Sequence, residues 1–196
     1  MFFLPVLLAA VLVREDPELA RRLKNRDPNA MAELYDRYGR ITFALIFRVV
    51  RNEAVAEDLV QETFLRVWNR VHAFDHEKGA LGPWILAVAR NRAIDYLRSV
   101  DGRMARSEFD LEKLEQPAVF CDLENSIMNL DRMKALRGAF EKLTDNQRLV
   151  LELAYYEGLS QTEMAERLRQ PLGTVKTWVR TALKNLRDEL AEKAVA

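Results

Sequence analysis

Cysteine is almost missing from this sequence. Cys121 stands alone, so no internal disulfide can form and a reducing compartment, the cytoplasm, is expected. The lone thiol is read as a small buried or linker residue. Histidine is nearly as scarce: His72 and His76 are the only two, no usual ligand spacing surrounds them, and no metal site is expected. Glycine-rich phosphate loops and nucleophile elbows are absent too, which argues against an enzyme and against a cofactor. Charge of one sign is lacking, since 30 basic residues offset 30 acidic ones. A protein that held nucleic acid by bulk attraction would carry a positive excess, so any DNA contact must come from basic residues gathered on particular faces. The most apolar stretch, Met1–Val13, is shorter than the roughly 20 residues of a membrane span. It also lacks the basic start and small-residue cleavage site of a signal peptide. Three readings of it stay open: a docking helix, a disordered extension, or a start codon placed too early.

What is present is helical. Apolar residues make up 49% of the chain and recur at helical spacing, with only 7 glycines and 6 prolines to interrupt them. The expected class is all-α: two small helical domains joined by a flexible acidic linker. Residues 1–16 form the apolar extension and 17–99 the first domain, with breaks at Asn25–Asn29, where Asp27-Pro28 sets a turn, and at His72–Pro83. Across 100–129 the pattern fades, acids outnumber bases and Pro117 interrupts any long helix, as in a weakly structured linker. Residues 130–196 form the second, smaller domain.

Within that second domain, Leu149, Val150, Leu153 and Ala154 line one face of a helix ended by Glu157-Gly158. Ser160 and Glu163 make a capping box for the next helix, which buries Met164, Ala165 and Leu168. A short turn with Pro171 and Gly173 follows, and Thr174 opens the last helix. This is the pattern of a helix-turn-helix, whose second helix enters the major groove. At about 100° per residue, Val175, Val179, Ala182, Leu183, Leu186 and Leu190 fall in one arc, which should pack on the core. Lys176, Arg180, Lys184 and Arg187 fall opposite with no acid among them, and Thr177 and Thr181 lie on the shoulder. Such a stripe suits phosphates and base edges together, whereas an ordinary solvated face more often mixes its charges.

Glu157-Gly158-Leu159-Ser160, Glu163-Met164-Ala165 and Gly173-Thr174-Val175-Lys176-Thr177 together resemble region 4 of the extracytoplasmic-function sigma factors. That resemblance implies that Thr174, Lys176, Thr177, Arg180, Thr181, Lys184 and Arg187 contact a −35 element. Trp178 departs from the family pattern, where an arginine is commoner, and leaves the promoter sequence open. Two-component regulators carry similar helices, so the motif alone does not fix the class.

The first domain separates these options. Along Glu57–Val71, Val60, Phe64, Val67, Trp68 and Val71 share a core face. Asp58, Gln61, Glu62, Leu65, Arg66 and Asn69 share the opposite one, a mixed strip with a leucine among acids and amides that suits a protein partner better than DNA. The stretch resembles sigma region 2.2, which implies binding to the β′ clamp helices of core RNA polymerase. The plainer alternative is a solvated amphipathic helix with one stray leucine. Downstream, Pro83–Arg98 buries Ile85, Leu86, Ala89, Ala93 and Leu97 and offers Trp84, Asn91, Arg92, Asp95 and Arg98, whose amide, guanidinium and ring groups suit bases and phosphates. This segment resembles regions 2.3 and 2.4, which melt and read the −10 element. By that resemblance Phe74, Asp75 and Lys78, in the Phe74–Lys78 loop, capture a base flipped from the stack. Against this, Trp84 fits a core position and Asp95 fits a pair with a neighbouring arginine.

The resemblance covers roughly residues 17–99 and 130–190, in the family's order. It implies an alternative sigma factor that binds core polymerase through the β′ clamp helices and the β flap and recognises promoter DNA, with control by an anti-sigma factor contacting the Leu65 region. Recognition elements about two helical turns apart are roughly 70 Å apart. A coil of about 30 residues extends to roughly 100 Å, so the linker can reach once the enzyme holds it open. The free chain is then expected to bind DNA poorly. A stand-alone helix-turn-helix regulator explains 143–190 equally well but leaves the Asp58–Asn69 strip without a role; a helical scaffold would not need the acid-free stripe.

Overall fold

A computed structural model of the chain describes residues 17–76, 79–99 and 138–194, which fall into two units taken separately below. The readings of Met1–Val13, the 100–129 linker, Cys121 and Lys78 lie outside the described residues. Every regular element among those described is helical.

The first unit contains α1 (Pro17–Lys24), α2 (Pro28–Val50), α3 (Glu53–Arg70), a 3₁₀ turn (Val71–Ala73) and α4 (Leu81–Arg98). The α1–α2 turn closes with Arg26 left-handed (φ 61°) and the Asp27 N–H bonded to the Arg22 carbonyl at 3.1 Å. Asp27 then caps α2 by accepting from the Asn29 N–H at 2.9 Å, with Pro28 at the first position, where its missing N–H costs nothing. Only Arg51 and Asn52 separate α2 from α3. Asn52 accepts from the Val55 N–H at 3.0 Å, a cap that contributes about 1 kcal/mol. Helix α4 opens at Leu81, two residues ahead of the expected Pro83, because a proline is tolerated in the first helical turn.

Helix α2 packs along both α3 and α4, and the core follows the sequence periodicity. Leu34, Tyr38, Leu45 and Ile46 of α2, Phe64 and Val67 of α3, and Ile85, Leu86 and Ala89 of α4 are all buried. Trp68, expected in the core, is only half-buried. The Arg26 guanidinium lies 5.1 Å from its ring centroid, and Arg26 Nη1 donates to the Trp68 carbonyl at 2.6 Å. That contact covers the ring with a cation and fastens the α1–α2 turn to the end of α3.

The second unit has a helical turn at 138–141, then α5 (Asp145–Tyr156), α6 (Gln161–Leu168) and α7 (Leu172–Ala194). Both short helices open with reciprocal capping boxes, Thr144 with Gln147 and Ser160 with Glu163. Gly158, at φ 64°, turns the chain between α5 and α6. The α6–α7 turn uses Arg169 (φ 51°) as its left-handed residue, with the Gln170 N–H bonded to the Ala165 carbonyl at 3.0 Å. Gly173, expected in the turn, therefore belongs to α7, which opens at Leu172, two residues ahead of the expected Thr174. Val150, Leu153, Met164, Ala165 and Val175 form the buried cluster joining the three helices, with Ala154, Leu168, Trp178 and Val179 packed around it.

Two core expectations fail here. Leu149 is 38% exposed and Leu151 is buried in its stead; Leu183 is 51% exposed. On α7 the buried arc centres near Val175, Ala182 and Leu186. At about 100° per residue Leu183 lies some 80° to one side of Val175, while Trp178 lies about 60° to the other and takes the sheltered edge. The side chain of Leu190 lies outside the described residues.

Candidate functional site

Helix α3 turns Asp58, Gln61, Glu62, Leu65, Arg66 and Asn69 to solvent, every one exposed. The reason is local: Val60, Phe64, Val67 and Ala56 take the buried side, and Thr63 is accommodated there by donating its hydroxyl to the Leu59 carbonyl at 2.7 Å. Leu65 is 60% exposed, a large apolar side chain held out in a ring of polar ones. Tyr35 of α2, which sequence reasoning did not single out, widens this surface. It is half exposed, with its ring 5.0 Å from that of Phe64. Its signal was faint, since Tyr35 merely follows a core leucine on a helix with many apolar residues.

Helix α4 presents Asn91, Asp95 and Arg98 to solvent, with Arg92 and Trp84 half-buried. The Asn91 side-chain oxygen accepts from Arg90 Nη1 at 3.2 Å. Arg92 Nε donates to Glu62 Oε2, an ion pair that joins α4 to the exposed strip of α3. That pair holds the Glu62 carboxyl below the usual carboxylate range, helped by the charge of Arg66 one turn along. It also raises Arg92, with a further contribution from the charge of Asp95. Partly exposed pairs of this kind contribute about 1 kcal/mol or less, so the bond exchanges readily. The sequence placed Glu62 and Arg92 in two separate sites; the fold brings them together.

Phe74 requires a correction. Assigned to the exposed loop before α4, it is 5% exposed, with its ring 5.4 Å from Trp84 and Lys24 Nζ 5.9 Å from its centroid. An aromatic following the 3₁₀ turn fills the gap beneath the start of α4, so Phe74 is core in this structure and offers no ring to a base. Asp75 is half-buried beside it.

In the second unit Lys176, Arg180, Lys184 and Arg187 are exposed along α7, over roughly 16 Å of helix axis. Thr177 is exposed and donates its hydroxyl to the Gly173 carbonyl at 2.9 Å, while Thr174 and Thr181 are half-buried. The face is not wholly acid-free: Asp188 is exposed on the threonine shoulder, close to the C-terminal end of the stripe. Glu189, by contrast, is held by Lys142 at 2.5 Å on the core side. Among the described residues no group of three or more histidine, cysteine or carboxylate side chains is placed to hold a metal ion. No described helix is long and apolar enough to cross a membrane.

Two family models match this chain: Sigma-70 region 2 over residues 34–103 and Sigma-70, region 4 over residues 139–188. The ECF RNA polymerase sigma factor SigK of Mycobacterium tuberculosis (strain ATCC 25618 / H37Rv) is 34% identical over 171 residues, 87% of this chain and 90% of that protein. SigK of Mycobacterium sp. (strain JLS) is 31% identical over the same share of this chain and 88% of its own length. Among solved structures, Rhodobacter sphaeroides SigE in complex with the anti-sigma ChrR is 26% identical, with a TM-score of 0.44, covering 87% of this chain and 94% of that one.

Proposed function

The chain belongs to the family of ECF RNA polymerase sigma factors, and on that premise we propose how its two units divide the work of promoter-specific transcription initiation. The exposed strip Asp58, Gln61, Glu62, Leu65, Arg66 and Asn69 docks on the β′ clamp helices of core polymerase. The chemistry of the strip suits such docking, because an apolar anchor ringed by acids and amides excludes water at its centre and satisfies polar partners at its rim. On α4, Asn91, Arg92, Asp95 and Arg98 meet the −10 region, with Asp75, Lys78 and the half-buried Trp84 near the strand that is opened. On α7, Lys176, Arg180, Lys184 and Arg187 neutralise phosphates flanking the −35 element while Thr174, Thr177 and Thr181 approach the groove.

The observation that carries this reading is the contrast between two exposed helix faces: a mixed strip crowned by Leu65 on α3 and four cations on α7. The protein is a regulator of transcription that works in the cytoplasm, acts through polymerase rather than by chemistry of its own, and is held in check by an anti-sigma factor that covers the Leu65 surface. The domain division follows the sequence reading, 17–99 and 130–196 about a linker at 100–129, with the second unit also meeting the β flap. Run-off transcription with purified core polymerase and a genomic fragment library tests the whole. Specific starts should occur only when the chain is added; no starts, or starts only beside another sigma factor, would support a stand-alone regulator.

A further inference from the structure

Cations on α4 would serve DNA best if they were free, yet Arg92 is not. Its guanidinium is committed to Glu62, and the charge of Asp95 lies nearby on its own helix. Glu62 in turn belongs to the exposed strip of α3, and its side chain stays 47% accessible while it holds Arg92. One carboxylate therefore faces both the surface offered to a protein and the cation offered to nucleic acid. Arg66, one turn along α3, is the other cation whose charge acts on it.

We propose that the Glu62–Arg92 ion pair is a mask, in which docking of core polymerase on the α3 strip takes over the Glu62 carboxylate and frees Arg92 for the promoter strand. This rests on the division of faces argued above. In the free chain a phosphate competes with Glu62 for Arg92 and is repelled by the same carboxylate. In the docked chain the carboxylate is engaged by the enzyme and that competition is over. Because the two binding events then help one another, the coupling is reciprocal: DNA held by Arg92 strengthens docking by the factor by which docking strengthens DNA binding. The pair suits such an exchange, since a partly exposed ion pair is weak and both ends are reachable from solvent. The mask also gives a neutral chain a specific reason to ignore DNA until it is on the enzyme.

The test uses the full chain and a fluorescently labelled single-stranded oligonucleotide of random sequence, read by anisotropy across a salt series without polymerase. Glu62→Gln should bind severalfold more tightly than wild type, with a salt slope steeper by about 0.7, the value of one extra phosphate contact on a single strand. Glu57→Gln, which removes another exposed charge from the same helix, reports the generic effect of one acid fewer and should move affinity little. The Glu62→Gln/Arg92→Gln double variant should fall back to the wild-type level. If Glu62→Gln gains no more than Glu57→Gln, or keeps its gain without Arg92, the mask is refuted. Both Glu62 variants lack the ion pair, so a mere loosening of the α3–α4 contact would show in each and could not produce the difference between them. A separate arm isolates the underlying reading: holoenzyme carrying Arg92→Gln should open a promoter found in the run-off experiment less well than wild-type holoenzyme. Normal opening there would remove Arg92 from the DNA contact altogether, whereas impaired opening with no gain from Glu62→Gln would remove only the mask.

Discussion

The outer faces of α3 and α7 are built on the same amphipathic plan but end in different chemistry. On α3 the exposed strip mixes acid, amide, base and leucine; on α7 lysine and arginine recur at Lys176, Arg180, Lys184 and Arg187, with Leu183 and Asp188 exposed at the edges of that stripe. Both helices bury the opposite side, Val60, Phe64 and Val67 in one and Val175, Ala182 and Leu186 in the other, so the outer faces add little to either core. A face that adds little to the core shows its partner through charge pattern. A rod of phosphates calls for one sign repeated along a line, whereas a protein surface calls for complementary patches around an apolar centre.

The sharpest way to break this contrast is to make α3 resemble α7. Replacing Asp58 and Glu62 with lysine leaves the buried side untouched but reverses the sign of the strip. Assembly of labelled chain with core polymerase should weaken by at least about 100-fold, the scale of lost charge complementarity at an interface centre. Near-normal assembly would remove α3 from the docking surface. The next largest effect lies in the core beneath α7. Met164 is 2% exposed and belongs to the buried cluster that holds α5, α6 and α7 together. Met164→Ala should cost about 3 kcal/mol. Thermal unfolding followed at Trp178, with Trp68 and Trp84 replaced by phenylalanine, should register the loss in the second unit. An unchanged transition would mean that α7 is held by something other than this cluster.

A smaller effect tests the face itself. Arg180→Ala should leave holoenzyme assembly intact yet reduce promoter affinity roughly tenfold at low salt, with a salt slope shallower by about one contact. Asp188→Asn, on the shoulder of the same stripe, should act in the opposite sense and more weakly. If Arg180→Ala left the slope unchanged while impairing assembly, the two faces would have to exchange roles.

How much of this was legible beforehand depends on whether a feature is local. Helix boundaries near Asp27-Pro28, the Ser160–Glu163 box and the buried sides of α3 and α7 follow from side chains within one or two turns, and periodicity exposes them. The centre of a buried arc is not local. Leu183 and Leu149 sit at apolar-looking positions, but the neighbouring helices approach from a slightly different direction and leave them half covered. Phe74 looked like a loop residue because loops are inferred from what surrounds them, and nothing in sequence announced the gap beneath α4 that its ring fills. The pairing of Glu62 with Arg92, 30 residues apart, and the clasp of Arg26 on Trp68, 42 residues apart, exist only once the helices of the first unit have assembled. A sequence gives their charges without saying which of them meet.

Two helices, one from each unit, also differ in how they are started, and acid should tell them apart. Helix α2 opens on a charged cap: Asp27 accepts from the Asn29 N–H and from Arg22 Nε, and Arg22 also reaches Glu33 at 2.7 Å. Arg22 holds the Asp27 carboxyl below its ordinary value, with the Asn29 N–H adding to the effect. Helix α5 opens on an uncharged cap, Thr144 with Gln147. For a carboxylate depressed in the folded state, the associated stability is present above the unfolded value near 4 and is lost as pH falls through the lower folded one. Below about pH 4, therefore, the first turn of α2 should lose hydrogen-exchange protection before the first turn of α5, apart from any general acid unfolding shared by both. Asp27→Asn retains a side-chain acceptor for the Asn29 N–H but not the charge facing Arg22. That variant should show a lower, pH-independent protection in α2 across the same range and leave α5 as it was. The change would be modest, because all three side chains of the network remain partly exposed to screening solvent. An acid response of equal size in α2 of the variant would assign it to the general charge of the unit and not to this cap.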